Sequence, residues 1–151
     1  MKIPIRALAR FAVRATPQTA FALLADVPRS ARHFPEVESL EDEGGGVYRW
    51  RLEPVGALGI RHQVVYACRY TADASTLSVQ WTPVAGGNGT IRGHWRLAER
   101  AGGTLIDFAT SGELEVPIPA WLGAPARSFV AAEFRRQIDR YHENLKRSLD
   151  G

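Results

Sequence analysis

The chain has 151 residues and a mass of 16.7 kDa, enough for one domain with its own core and short for two. Apolar residues make up 45% and charged residues 23%, which excludes a disordered or fibrous chain. With 19 basic against 16 acidic residues the net charge is only +3, too balanced for a strongly electrostatic nucleic-acid binder.

Of the basic residues only Lys2 and Lys146 are lysine; the arginine surplus fits a GC-rich genome. Cys68 is the single cysteine, so no internal disulfide can form, and no Cys/His cluster has zinc spacing. A reducing, cytoplasmic setting without metal or cofactor is expected. The segment Met1 to Arg14 is broken by Arg6 and Arg10 and lacks the apolar stretch of a signal peptide. No run of about 18 apolar residues exists to span a membrane.

In chain order, residues 5–15 predict a strand with Ala7, Ala9, Phe11 and Val13 on one side and Arg6, Arg10 and Arg14 on the other. Leu8 falls on the arginine side. Thr16-Pro17 opens a helix, with Thr16 as N-cap and Pro17 at the first helical position. Pro28 ends it, and a second short helical turn, Arg29 to His33, stops at Pro35.

A run of alternating segments follows, separated by turn signals. Val37 to Asp42 is a weak acidic strand, and Val47 to Pro54 places Tyr48, Trp50 and Leu52 opposite Arg49, Arg51 and Glu53. Ile60 to Thr71 predicts one long strand with Ile60, His62, Val64, Tyr66, Cys68 and Tyr70 on a single face. Leu77, Val79 and Trp81, then Ile91, Trp95 and Leu97, then Ile106, Phe108 and Leu114 continue the inward pattern. Six strands thus follow the first, which makes about seven. From Ala124 to Leu149 an amphipathic helix is expected, with Val130, Ala131, Phe134, Ile138, Tyr141, Leu145 and Leu149 on one stripe.

A meander with one apolar face must cover it. A helix of about 25 residues, roughly 38 Å long, can lie across that face. The space between would be lined by Tyr48, Trp50, His62, Tyr66, Trp81, Trp95, Phe108, Val130, Phe134 and Ile138. The competing reading is a dry core of the same residues. A ligand site of ordinary size calls for a volume of about 300 Å³ or more.

The order of elements, with "TPQTAFALLADVPRSARHFPEVESLE" and "PIPAWLGAPARSFVAAEFRRQIDRYHENLKR", resembles the helix-grip superfamily of START, Bet v 1-like and polyketide cyclase/dehydrase-like proteins. Pro17, Phe21, Leu24, Asp26, Phe34 and Pro35 carry the likeness at the start and the closing helix carries it at the end. It covers nearly the whole chain. The resemblance implies an α+β fold, a curved antiparallel sheet wrapped on the C-terminal helix, with two short helices between strands 1 and 2. It also implies a deep apolar cavity for lipids, polyketides, quinones or similar molecules.

Arg127 falls about 20° from Phe134 on the helical wheel, inside the stripe. A buried unpaired cation costs several kcal/mol, so Arg127 either reaches solvent or orients an oxygen of a ligand. His62 and Tyr66 share a face and are acid/base candidates. With Arg127 they form the candidate catalytic set, and Tyr48 and Tyr70 can supply further hydrogen bonds. Glu133 and Gln137 flank the stripe and can line its edge, with a solvated shoulder the favoured expectation, and Cys68 acts as a small hydrophobe. Arg49, Arg51, Arg61, Arg69, Arg92 and Arg96 fall on the outer sheet face, where a solvated role suffices. Three functions follow: a binding or transport module for a small hydrophobic ligand, a cofactor-free cyclase/dehydratase, or an interaction module. Peripheral contact with an anionic membrane suits the outer arginines, whereas the absence of aromatics among them argues against single-stranded nucleic acid.

Overall fold

The computed structural model describes residues 1–57 and 59–151. The chain runs β1 (Lys2–Val13), α1 (Pro17–Ala25), α2 (Val27–Ala31), β2 (Val37–Gly44), β3 (Val47–Leu52), β4 (Val55–Ala57), β5 (Ile60–His62), β6 (Val65–Asp73), β7 (Ser78–Val84), β8 (Gly89–Arg100), β9 (Gly103–Glu115), a 3₁₀ turn (Ala120–Leu122) and α3 (Gly123–Asp150). Seven strands form one antiparallel sheet in the order β1-β9-β8-β7-β6-β3-β2. The long C-terminal helix and the two short helices cover its inner face, which is the expected helix-grip arrangement.

Alternation decides which side of each strand is buried. In β1, Ile3, Ile5, Ala7 and Val13 point into the core while Arg6, Leu8 and Arg10 point out. In β9, Thr104, Ile106, Phe108, Thr110 and Leu114 are buried. The outward residues pair across the ladder: Arg10 bonds Asp107 at 2.6 Å, Arg49 bonds Glu43 at 2.6 Å and Arg51 bonds Glu41 at 3.0 Å. These exposed pairs keep the face hydrated and add little stability each.

The two short helices form for local reasons. Thr16 Oγ1 accepts the Thr19 N–H at 3.2 Å, capping α1 as expected. Asp26 ends α1 and caps α2, accepting the Arg29 N–H at 3.2 Å. The second helix therefore begins two residues before Arg29, because Asp26-Val27-Pro28 restarts the helix. The C-terminal end of α3 is tied to the end of β1. Ala15 N–H donates to Leu149 O at 2.9 Å, and Lys146 Nζ to Ala12 O at 2.7 Å.

Two further expectations change. The long strand over 60–71 is interrupted: β4 and β5 form a separate two-stranded ribbon, and β6 begins only at Val65. The break has a visible cause. Asn88 Oδ1 accepts the Val65 N–H at 2.9 Å and its amide donates to Gln63 O at 2.8 Å, so a side chain replaces the ladder there. The inward placement expected of the Ile60 side chain lies outside the described residues.

The second change concerns the phase of α3. Ala126, Val130, Glu133 and Gln137 face inward in its first half, and Ile138, Tyr141, Leu145 and Leu149 in its second. On a wheel of 100° per residue these two sets differ in direction by roughly 90°. The buried face drifts along the helix because the twisted sheet beneath it turns. Arg127 and Ala131 match the direction of the second set but sit in the first three turns, where that direction meets solvent. Both are exposed.

Candidate functional site: an apolar cavity beneath the C-terminal helix

A cavity of about 140 Å³ lies between the inner sheet face and the three helices. Buried Ile91, Trp95 and Phe108 line it from β8 and β9, and buried Leu24 and Val27 line it from the short helices. Ala126, Val130, Phe134 and Ile138 form the helix side. The lining residues with most exposure, Glu53 and Phe129, mark the mouth between the β4–β5 ribbon and the first half of α3.

The volume is below the roughly 300 Å³ expected of an ordinary ligand site. Aromatic rings occupy the difference. Trp81, Trp95 and Phe108 pack with centroids 4.6 to 6.2 Å apart, and Trp50 stacks on Tyr66 at 5.9 Å and 10°. A dry cavity of about 150 Å³ lined by aliphatic and aromatic groups binds benzene. The space here is therefore of the size of one ring, and a short substituent would extend toward the open mouth.

Gly93 makes room for one of these rings. It lies opposite Trp81 in the β7–β8 ladder and the indole covers it. A Cβ there would stand 2.5 Å from Trp81 Cζ2 and 2.3 Å from Ala109 O. Gly93→Ala is expected to cost about 1–3 kcal/mol and to push the indole toward the cavity. Urea unfolding and a shift in tryptophan emission measure both effects.

Of the residues proposed from sequence to contact a ligand, Trp50, His62, Tyr66, Trp81, Trp95, Phe108, Val130, Phe134 and Ile138 line the cavity. Two do not. Arg127 is exposed, for the reason of phase given above. Tyr48 shares the inner face of β3 but stands behind Tyr70, ring against ring at 5.9 Å and 75°. Glu133 and Gln137, expected on a solvated shoulder, line the cavity instead, and Gln137 is 4% exposed. Cys68 behaves as a buried hydrophobe, its thiol donating to Ile91 O and pushed up to about 12 by burial.

Polar groups are few and placed at distinct depths. His62 Nε2 is buried without a hydrogen-bond partner, and desolvation lowers the ring's pKa. His62 is thus a neutral imidazole at pH 7, able to offer or accept one proton but not a fixed charge. The Tyr70 hydroxyl oxygen Oη accepts the Trp50 indole N–H at 2.9 Å. Ser30 and Tyr141 hydroxyls bond each other. Burial raises Tyr66 and Tyr70 well above the normal phenol range and Tyr141 to about 12, so all three remain protonated.

The helix is latched near the mouth by a charged cluster. Arg136 donates to Glu36 at 2.8 Å and to Glu133 at 2.6 Å, and Gln137 donates to Glu36 at 2.8 Å. The Arg136 hydrogen bond is the main cause that holds the Glu133 carboxyl below its ordinary range. Tyr141 is legible on the helix stripe, but its bond to Ser30 and the Glu36 latch escape sequence reading, since they join residues about a hundred positions apart. Among the described residues no group of three His, Cys, Asp or Glu side chains is arranged to hold a metal ion, and no helix is long and apolar enough to cross a membrane.

Comparison with known proteins agrees with this geometry. No curated protein sequence matches significantly. Among solved structures, the chain is similar to a Thermus thermophilus protein at 22% identity, covering 97% of this chain and 96% of that one, with a TM-score of 0.72. It is also similar to the ZhuI aromatase/cyclase of Streptomyces sp. R1128 at 17% identity, covering 97% and 91%, with a TM-score of 0.62. A START superfamily protein from Mycobacterium smegmatis shares 14% identity over 95% and 98%, with a TM-score of 0.68. At these identities the likeness speaks for the fold alone. The family model described as polyketide cyclase / dehydrase and lipid transport matches residues 5–148. The grip of α3 over an apolar cavity and that match over nearly its full length agree: the chain belongs to the polyketide cyclase/dehydrase and lipid transport family.

Proposed function

We propose that the protein binds and carries a small hydrophobic molecule in the cavity under α3. One observation supports this above the others: an apolar space of about 140 Å³ with a mouth and few convergent polar groups, where a simple core would close. Contact with a single ring with a short substituent would fall mainly to Trp50, Tyr66, Trp81, Trp95 and Phe108, with Val130, Phe134 and Ile138 closing over it.

Native mass spectrometry of freshly purified protein tests the proposal. A bound apolar molecule is expected, and it should be absent from Val130→Trp, whose indole would enter the cavity from the half-buried first part of α3. Val130→Trp that keeps both its fold and the bound molecule would reject the cavity as the site.

A second reading, a cyclase/dehydratase-type enzyme, has one specific observation in its favour. His62 Nε2 is buried and unpartnered at the cavity wall, within the same lining as Tyr66. A neutral imidazole there can move a proton to or from a ligand atom. Arg127, exposed on α3, has no part in that reading. Under it, His62→Ala abolishes turnover while affinity stays nearly unchanged. Equal turnover in the variant would end the enzymatic role.

A further inference from the structure

Among the hydrogen-bonding groups that line the cavity, one donor has its direction set. The Trp50 indole can only donate, so at 2.9 Å the Tyr70 oxygen is the acceptor of that bond. The proton of the Tyr70 hydroxyl must then go elsewhere. Among the described residues the hydroxyl donates to no acceptor, and the side chain lines the cavity. Tyr66, four positions back on β6 and on the same face, also lines the cavity, and its hydroxyl has no partner among the described residues.

Charge works in the same direction. Arg127 is exposed and does not line the cavity, whereas the carboxylates of Glu53 and Glu133 stand at its mouth. Among the described residues that line the cavity there is no cation for an entering anion to meet. We infer that Tyr70 is a specificity-determining donor: the cavity selects a neutral ring-sized ligand that carries a carbonyl oxygen, which accepts the Tyr70 hydroxyl proton, with Tyr66 as a second donor. This rests on the carrier reading above and adds to it the polarity of the ligand.

Burial keeps both phenols protonated, so they serve as donors through the physiological range and cannot act as bases. Tyr70 stays oriented by Trp50, whose ring is itself stacked on Tyr66. The donor is thus preorganised, and binding need not order it.

Calorimetric titration with three probes of nearly equal shape tests the inference: acetophenone, α-methylstyrene (a methylene in place of the carbonyl oxygen) and benzoate. Acetophenone should bind the native protein about tenfold more tightly than α-methylstyrene, the effect of one buried hydrogen bond. Benzoate should bind more weakly than either. Tyr70→Phe should erase the tenfold preference by weakening acetophenone alone. The infrared carbonyl stretch of bound acetophenone should lie lower in the native protein than in Tyr70→Phe, a difference that loss of packing would not produce. Trp50→Phe/Tyr70→Phe, which leaves no orphaned indole N–H, should repeat the result. Equal affinity for acetophenone and α-methylstyrene in the native protein would overturn the donor role while leaving the carrier reading intact. Tighter binding of benzoate would overturn the selection for a neutral ligand. Failure of all three probes to bind would overturn the inference together with the carrier reading.

Discussion

Acidification from pH 7 to pH 4 is expected to destabilise the protein by about 3 kcal/mol through a single side chain, His142. His142 is 8% exposed and sits on the inner face of α3 among aromatic rings, with centroids 4.5 Å from Phe108, 5.2 Å from Phe11 and 5.6 Å from Trp95. Its Nε2 is buried with no partner. Burial, helped by the nearby charge of Arg135, lowers its pKa from 6.5 to about 4. The unfolded chain therefore binds a proton below pH 6.5 that the folded one refuses until pH 4. Stability is fully present above pH 6.5 and declines as pH falls: about 2 kcal/mol is lost by pH 5 and about 3 kcal/mol by pH 4.

The measurement is urea unfolding from pH 7.5 to pH 4.5 on the native protein and on His142→Leu. Carboxylates such as Glu133 and Asp150, held low by their partners, lose their contributions mainly below this range. His62 and His94 are also lowered by burial, and both remain in each protein, so the difference between the curves isolates His142. A native curve parallel to that of His142→Leu would show that the ring accepts its proton in the folded state without penalty.

The largest loss of stability is expected from Trp95→Ala, about 3–5 kcal/mol. Trp95 is 3% exposed and meets Phe11, Trp81, Phe108, Tyr141 and His142. Among the described residues no other side chain links β1, β7, β9 and α3 so directly through ring contacts. Its removal joins the vacated space to the existing cavity, and the remaining rings cannot close both. Added indole should occupy that space and raise the Tm of Trp95→Ala, with a smaller effect on the native protein. A loss below about 1 kcal/mol, well under the usual cost of such a truncation, would mean that the sheet and helix collapse onto the void, so that Trp95 is not a support of the cavity.

The two residues also mark the limit of sequence reading. Trp95 is legible as inward from strict alternation with His94 and Arg96, a period that survives any register of pairing. His142 is not legible, because its placement depends on the drift of the buried face along α3. A wheel wound at one fixed angle averages that drift away, and it put Arg127 and Ala131 inside the stripe and left His142 out. The interruption at Gln63-Val64 was hidden for a similar reason. Alternation runs through it unbroken, and only Asn88, 25 positions later, takes the backbone groups of both sides.

The latch of Glu36, Glu133, Arg136 and Gln137 belongs to the same class. Glu133 and Arg136 are a recognisable helical pair at spacing three, yet the carboxylate that joins them to the α2–β2 connection comes from a position 100 residues away. Nine of the eleven residues proposed to contact a ligand line the cavity, since those nine follow from strand alternation or from positions on α3 whose face stays inward.

Apolar content and near-balanced charge excluded a disordered chain and a strongly electrostatic nucleic-acid binder before any element was placed. The order of elements, the two-residue period of the strands, the caps at Thr16 and Asp26 and the apolar stripe of the last helix are local or periodic properties. Local sequence therefore determined the helix-grip architecture and which face of each strand lies inside. Tertiary packing alone decided that the space under α3 is about 140 Å³, that Arg127 leaves it, that Glu133 and Gln137 enter it and that Tyr70 has a proton to give. These depend on where distant side chains meet, and a volume between a sheet and a helix is the small remainder after large rings have packed.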